Sequence, residues 1–171
     1  PRHSQLWHVP SCRPAPLGQS GKLLDTTDCA AKLGLATLSI AVPTPLRKTK
    51  DPDKRFIVSA TAEIAKYLHK VMLIILESTT YPGTTEEVFA PLVLRGDLRL
   101  GTDIHIAFSP ERVDPGNTHY GVRNTPKVVG GLTPDCTKSA QAFYEQFIDT
   151  VVPAKAAKES EMCKLIENNF R

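Results

Sequence analysis

No stretch of this sequence reaches the roughly 18 to 20 consecutive apolar residues that a membrane-spanning helix needs. The first residues also lack the basic start, apolar middle and small-residue cleavage site of a secretory signal. A cytoplasmic protein without a membrane partner is expected. The four cysteines, Cys12, Cys29, Cys136 and Cys163, show no CxxC or other metal-ligand spacing. They are too few to staple a chain of 171 residues, so free thiols and no metal are expected. Charge of one sign is not gathered anywhere: 21 Lys and Arg are interspersed with 18 Asp and Glu, for a formal charge of +3. That pattern asks for neither nucleic acid nor a membrane surface.

What is present has the length and composition of one soluble globular domain. Pro1 to Leu24 is rich in Pro, Ser, His and Arg without periodicity, and reads as a disordered tail. Regular patterning follows. Thr37 to Val42 reads as a buried strand halted by Pro43 and Pro45, Arg55 to Lys70 as a helix, and Val71 to Leu76 as a fully apolar strand. Thr84 is expected to cap a helix running to about Leu94, with Glu86 and Glu87 in its first turn. Further strands are expected at Ile104 to Phe108, Lys127 to Val129 and Val151 to Val152. A helix from Pro134 to Phe147 should start on Thr133, and a last helix should span Lys158 to Arg171. Strands alternating with helices imply a doubly wound, parallel α/β sheet, in which ligands bind at the loops leaving the strand ends.

Three such loops are polar: residues 42–45, 77–84 and 109–117. Each alone is explained by ordinary turn and cap preferences. Together they place the hydroxyls of Ser78 and Thr79 beside a helix N-terminus, which attracts phosphate, near Glu111, an acid held between Pro110 and a Pro-Gly turn. Periodicity divides the final helix into an apolar face of Met162, Leu165, Ile166 and Phe170 and a polar face of Glu161, Lys164, Asn168 and Arg171. On periodicity alone the polar face is solvated.

The segments LESTTYPGTTEEV, FSPERVDPGN, TPKVVGG and EMCKLIENNFR, in this order and spacing, resemble the UDP-glucose/GDP-mannose dehydrogenase family. The branch they resemble most is that of the UDP-N-acetylglucosamine and UDP-N-acetylmannosamine 6-dehydrogenases. The resemblance runs from about Thr26 to Arg171. It implies an NAD-dependent oxidation of the C6 hydroxyl of a UDP-N-acetylhexosamine, or of UDP-glucose, through the aldehyde level to the uronic acid. By the family pattern, Thr79 and Glu111 would hold a catalytic water or take the proton from the sugar hydroxyl. Lys164 and Asn168 would bind the sugar and stabilise charge on the C6 oxygen, which reverses the solvated reading of their face. Thr44, Ser78 and Thr79 would line the NAD site. Full-length members are expected to be homodimers.

Departures from the family pattern matter as much. No GxGxxG pyrophosphate loop precedes Thr26, and none of the four cysteines lies in a glycine-rich segment of the kind that carries the family's nucleophile. Cys163 adjoins Lys164, but successive helix residues point about 100° apart. The expectation is a partial Rossmann-type domain over residues 25–157, with 158–171 beginning a helix toward a central domain, inactive by itself and marginally stable through unpaired strand edges. Two other readings stay open: a degenerate, non-catalytic binding protein that pairs with a full-length relative, and a general Rossmann oxidoreductase acting on small hydroxy acids.

Overall fold

Short aliphatic runs form the strands, and the alternation of their side chains builds two cores. In the computed structural model, which describes residues 34–45, 53–94, 96–113, 119 and 121–169, five strands line up in sequence order: β1 (Thr37–Ile40), β2 (Met72–Leu76), β3 (Ile104–Phe108), β4 (Lys127–Gly131) and β5 (Val151–Pro153). Between them lie α1 (Arg55–Ile64), α2 and α3 (Pro134–Tyr144), and α4 (Ala157–Asn169) follows β5. Helix α2 is π-wound over Thr85–Phe89 and α-helical over Ala90–Val93. The expected tail at Pro1 to Leu24, together with Cys12, Cys29 and residues 114–118, lies outside the described residues.

Strand β2 is buried on both faces, as its unbroken MLIIL run requires of a central strand. Ile74 and Leu76 point to one face, where they meet Ile104, Ile106 and Phe108 from β3, Ile57 and Ile64 from α1, and Phe89 and Val93 from α2. Leu73 and Ile75 point to the other and meet Ala107, Val129 and Ala140, with Tyr144 at the end of α3. Helices therefore cover both faces, as a doubly wound sheet demands. Strand β1 is less enclosed than its sequence suggests: only Ile40 is buried, and Ser39 is exposed. Among the described residues it pairs with β2 alone. The expected start of β2 at Val71 also shifts by one residue. Val71 sits at φ 63° and is 76 % exposed, a strained position for a β-branched side chain, and the strand begins after it.

The sheet is not wholly parallel. β1, β2 and β3 run parallel, with Leu76 opposite Phe108, but β4 runs antiparallel to β3, with Phe108 opposite Gly130 and Ala107 opposite Gly131. β5 is parallel to β4. The reversal matters for chemistry, because it brings the first residue of β4, Lys127, to the same sheet edge as the carboxyl ends of the three parallel strands. Two glycines in β4 allow both flanking helices to approach. A Cβ on Gly130 would lie 2.4 Å from the carbonyl oxygen of Ala156 and 2.5 Å from Ser160 Oγ, and one on Gly131 would lie 2.3 Å from the Thr137 amide. Helix α3 starts as its sequence indicates, with the Thr133 hydroxyl accepting from the Cys136 amide and Pro134 in the first turn. Cys136 is fully buried beneath that turn, where its Sγ accepts from the Ile106 amide at 3.4 Å.

Two expected outcomes follow from the packing. Gly130→Ala should destabilise the chain by about 1–3 kcal/mol through overpacking, read as a lowered urea midpoint, because the obstructing atoms include helix backbone. Asp103 accepts from the Arg99 side chain and amide, with Lys70 at 3.4 Å, and these contacts, the Arg99 side-chain hydrogen bond first, hold its carboxyl below the usual carboxylate value. A lowered native value means the unfolded chain takes the proton more readily. The Asp103 contribution is therefore present above the ordinary carboxylate value and lost as pH falls through the lowered one. Asp103→Asn should flatten the acid limb of a plot of midpoint against pH, and an unchanged slope would count against it.

Candidate active site

The carboxyl ends of β1, β2 and β3 meet at one sheet edge, and the polar loops leaving them lock together through hydroxyls. Ser78, directly beyond β2, is buried, and its Oγ accepts from the Val42 amide at 2.8 Å. Thr44 donates from Oγ1 to the Thr79 carbonyl at 2.6 Å. Residues 42–45 and 78–79 thus form one tied pair of loops, which leaves Thr79 exposed at the edge. The three residues expected at an NAD site, Thr44, Ser78 and Thr79, lie together here, with Ser78 facing inward as the tie.

Glu111 lies beyond β3 on the same edge, exposed, with Oε1 accepting from the Val113 amide at 2.6 Å. Its other oxygen is 3.5 Å from the ammonium of Lys127, which is also 3.6 Å from Glu77 Oε1 and 5.2 Å from the centre of the Tyr144 ring. Lys127 is only 8 % exposed, so its charge is held by these neighbours rather than by water. Tyr144 donates its hydroxyl hydrogen to Glu77. Burial, followed by the negative charge of Glu77 and that hydrogen bond, pushes the phenol far above its ordinary value, which keeps it a neutral donor. Glu77, Glu111, Lys127 and Tyr144 wall one side of a cavity of about 280 Å³ whose other side includes Phe143 and Phe147.

Helix α4 closes the edge, and it does so with the face that periodicity assigns to solvent. Glu161 and Ser160 are fully buried, whereas Met162 and Ile166 are 45 % and 48 % exposed. The apolar and polar faces are thus turned opposite to what periodicity alone expects. The cause is specific. Gly83 and Thr85 donate their amides to Glu161 Oε2 and Oε1 at 2.5 and 2.8 Å, and the Thr85 hydroxyl donates to Oε1 at 2.6 Å. Burial pushes the Glu161 carboxyl up from the ordinary value, against the opposing pull of the Thr85 and Gly83 donors and of Lys158.

This arrangement corrects two expectations. Thr84 does not cap α2. Its backbone is already helical, and its hydroxyl donates to the Tyr81 carbonyl at 2.8 Å. The helix N-terminus beside Ser78 and Thr79 is likewise not a vacant phosphate site, because the Glu161 carboxylate occupies its free amides. One turn further along α4, Lys164 donates to the backbone carbonyl of Glu111 at 2.7 Å. Lys164 and Glu111 therefore meet, through backbone rather than carboxylate. Near the same point Arg112 pairs with Glu167 at 2.5 Å and donates to the Pro126 carbonyl. Asn168 belongs to α4 one turn beyond Lys164, and its side chain lies outside the described residues. Cys163 is half-buried.

Sequence reasoning did not single out Glu77, Lys127 or Tyr144 as site residues, and only periodicity taken alone placed Glu161 in solvent. Glu77 carried a signal, since it directly follows an apolar strand. Lys127 carried one only if the strand it opens was known to be antiparallel. Among the described residues no group of three His, Cys, Asp or Glu side chains could hold a metal ion, and no helix is long and apolar enough to cross a membrane.

Comparison with known proteins places this geometry in a lineage. UDP-N-acetyl-D-mannosamine dehydrogenase of Salmonella typhi is 40 % identical over 139 residues, covering 77 % of this chain and 33 % of that protein. NDP-N-acetyl-D-galactosaminuronic acid dehydrogenase of Ralstonia solanacearum is 42 % identical with the same coverage. The chain spans about a third of the length of these curated relatives. The solved UDP-D-ManNAc dehydrogenase of Pyrococcus horikoshii superimposes with a TM-score of 0.85 at 31 % identity, over 96 % of this chain and 40 % of that one. The UDP-N-acetyl-mannosamine dehydrogenase of Staphylococcus aureus does so with a TM-score of 0.82 at 30 % identity, over 91 % and 38 %. The model of the NAD binding domain of the UDP-glucose/GDP-mannose dehydrogenase family matches residues 16–148, beginning upstream of Thr26. The Rossmann-type sheet, the loops gathered at its edge and this match together make the chain a member of the UDP-glucose/GDP-mannose dehydrogenase family, carrying its NAD-binding domain.

Proposed function

We propose that the edge formed by residues 42–45, 77–85, 109–113 and α4 is the reacting side of an NAD-dependent UDP-N-acetylhexosamine 6-dehydrogenase. The observation that carries this reading is the contact of Lys164 with the Glu111 carbonyl. It brings a cation onto the rim that also bears Thr79 and the Glu111 carboxylate. A cation, a carboxylate and a hydroxyl on one rim are the groups that oxidation of an alcohol requires.

NAD, when bound, accepts the hydride leaving C6. The described residues fit its nicotinamide end, where Thr79 is exposed beside the tied loops. The α2 N-terminus offers no anion site to the cofactor, because it already holds a carboxylate. In this reading Glu111, with Thr79, takes the proton from the C6 hydroxyl directly or through a held water. Lys164, with Asn168, stabilises the negative charge that develops on the C6 oxygen. Thr44 and Ser78 position the loop that carries Thr79 and touch no reacting atom. The second oxidation, from aldehyde level to carboxylate, calls for a thiolate that forms a thiohemiacetal. Cys136 is sealed beneath α3, and Cys163 is half-buried on the helix beside Lys164. No glycine-rich nucleophile segment and no GxGxxG loop occur in these 171 residues.

The purified chain is accordingly expected to form no NADH with any UDP-sugar, and detectable turnover would overturn that assignment of roles. The positive test places residues 26–171 in the corresponding stretch of the Salmonella typhi relative and follows NADH formation with UDP-N-acetylmannosamine. The chimera should be active. Lys164→Ala and Glu111→Gln should each lower kcat by about 100-fold or more, the usual cost of losing a charge-stabilising or proton-transferring group. A folded, active chimera that is indifferent to both substitutions would sink the proposal.

A further inference from the structure

Helix α4 is turned against its own hydrophobic pattern. Left to burial of apolar area, it would present Met162 and Ile166 to the sheet, yet those side chains are about half exposed while Glu161 and Ser160 are sealed inside. Something specific must hold the rotation, because a helix rolled to bury its apolar stripe would gain transfer free energy. Three candidates contact the inward face. Gly130 admits the Ala156 and Ser160 atoms but makes no directional bond to them. Lys158 pairs with Glu86 at 2.8 Å, with both partners about half exposed or more, so it contributes little. Glu161 is left, a fully buried carboxylate accepting two backbone amides and a hydroxyl from a segment 76 to 78 residues earlier in the chain.

We propose that Glu161 is a positioning residue of this site. Its carboxylate, bonded into the Gly83–Thr85 backbone, fixes the rotation of α4 and so places Lys164 on the Glu111 loop. The significance of Lys164 rests on the functional reading above, whereas the latch itself is a matter of geometry. Glu161 and Lys164 are three residues apart, close to one turn, so both must point to the same side. Oε1 takes both Thr85 donors and Oε2 takes Gly83, a two-point attachment that resists rolling where a single bond would swivel. Two of the three donors, the Gly83 and Thr85 amides, can only donate, so both carboxyl oxygens must act as acceptors toward them. The same attachment anchors the loop that carries Thr79, four residues before Gly83, so one side chain sets both walls of the rim.

The test uses this chain and reads geometry, not turnover. Competitive acetylation with acetic anhydride, resolved by mass spectrometry, compares Lys164 with Lys138, which is exposed on α3. Amide exchange reports Gly83, Thr85 and, as a check on folding, Ile74 and Ile75 in the central strand. Glu161→Ala should raise Lys164 labelling relative to Lys138 by about tenfold, the effect of releasing a hydrogen bond to a charged group, while Ile74 and Ile75 stay protected. Glu161→Gln keeps an acceptor for Thr85 but sets an amide donor against Gly83. It should speed exchange at Gly83, leave Thr85 protected and give Lys164 a labelling rate between those of the unaltered chain and Glu161→Ala. Unchanged Lys164 labelling in folded Glu161→Ala would overturn the proposal. Should that variant not fold, unchanged Gly83 exchange in Glu161→Gln would overturn it instead. Because the chimera assay reads catalysis, a latch that behaves as stated alongside an indifferent Lys164→Ala would reject the functional reading and keep the latch.

Discussion

A buried carboxylate is costly unless its lone pairs are filled, and the arrangement around Glu161 is the constraint on which the rest of this edge depends. The first turn of α2 has amides that its own helix cannot satisfy, and Glu161 supplies an acceptor from a distant helix. The exchange settles two liabilities at once, an uncapped helix start and an ionisable group sealed in the interior. In doing so it ties the loop after β2 to α4. Gly130 is the steric counterpart of that tie, since a side chain there would collide with Ala156 and Ser160 at the start of α4.

A second constraint is the distribution of charge at the strand ends. Lys127 is nearly buried, with a carboxylate on each side, Glu77 and Glu111, and the Tyr144 ring beneath it. Removing one partner would leave charge uncompensated in a medium that screens poorly. The cluster links the walls of the edge: Glu77 precedes the Ser78–Thr79 loop, Glu111 lies beside Lys164, and Tyr144 belongs to the helix on the opposite face of the sheet. The geometry exists only because β4 runs antiparallel to β3. In a wholly parallel sheet Lys127 would open its strand at the far edge, away from every residue it now touches.

These features give the family assignment a physical content. The Rossmann-type sheet supplies the parallel strand ends, and the hydroxyls of Ser78 and Thr44 tie the loops that leave them. The reversed strand and the latched helix then bring Lys127 and Lys164 to a rim that carries Arg112, acids and hydroxyls. Helix α4 keeps its apolar residues Met162 and Ile166 outward among the described residues. Its inward polar face is therefore a property of this edge, not of general packing.

Much was legible in the sequence because it is governed by local rules. Strand β3, the Thr133 and Pro134 start of α3, the buried character of β2 and the alternation of strands and helices follow from period, cap chemistry and apolar runs within a few residues. The four motifs identified the family. Local pattern could not decide three things. The direction of β4 depends on a chain reversal through a long connection that leaves no periodic trace. The capping of α2 passed from Thr84, the local candidate, to Glu161, because the stronger acceptor came from far along the chain. The rotation of α4 followed, since helical periodicity weighs only the transfer of side chains from water. Here three directional hydrogen bonds to a buried carboxylate outweighed that preference, and no pattern within the helix could have shown their donors.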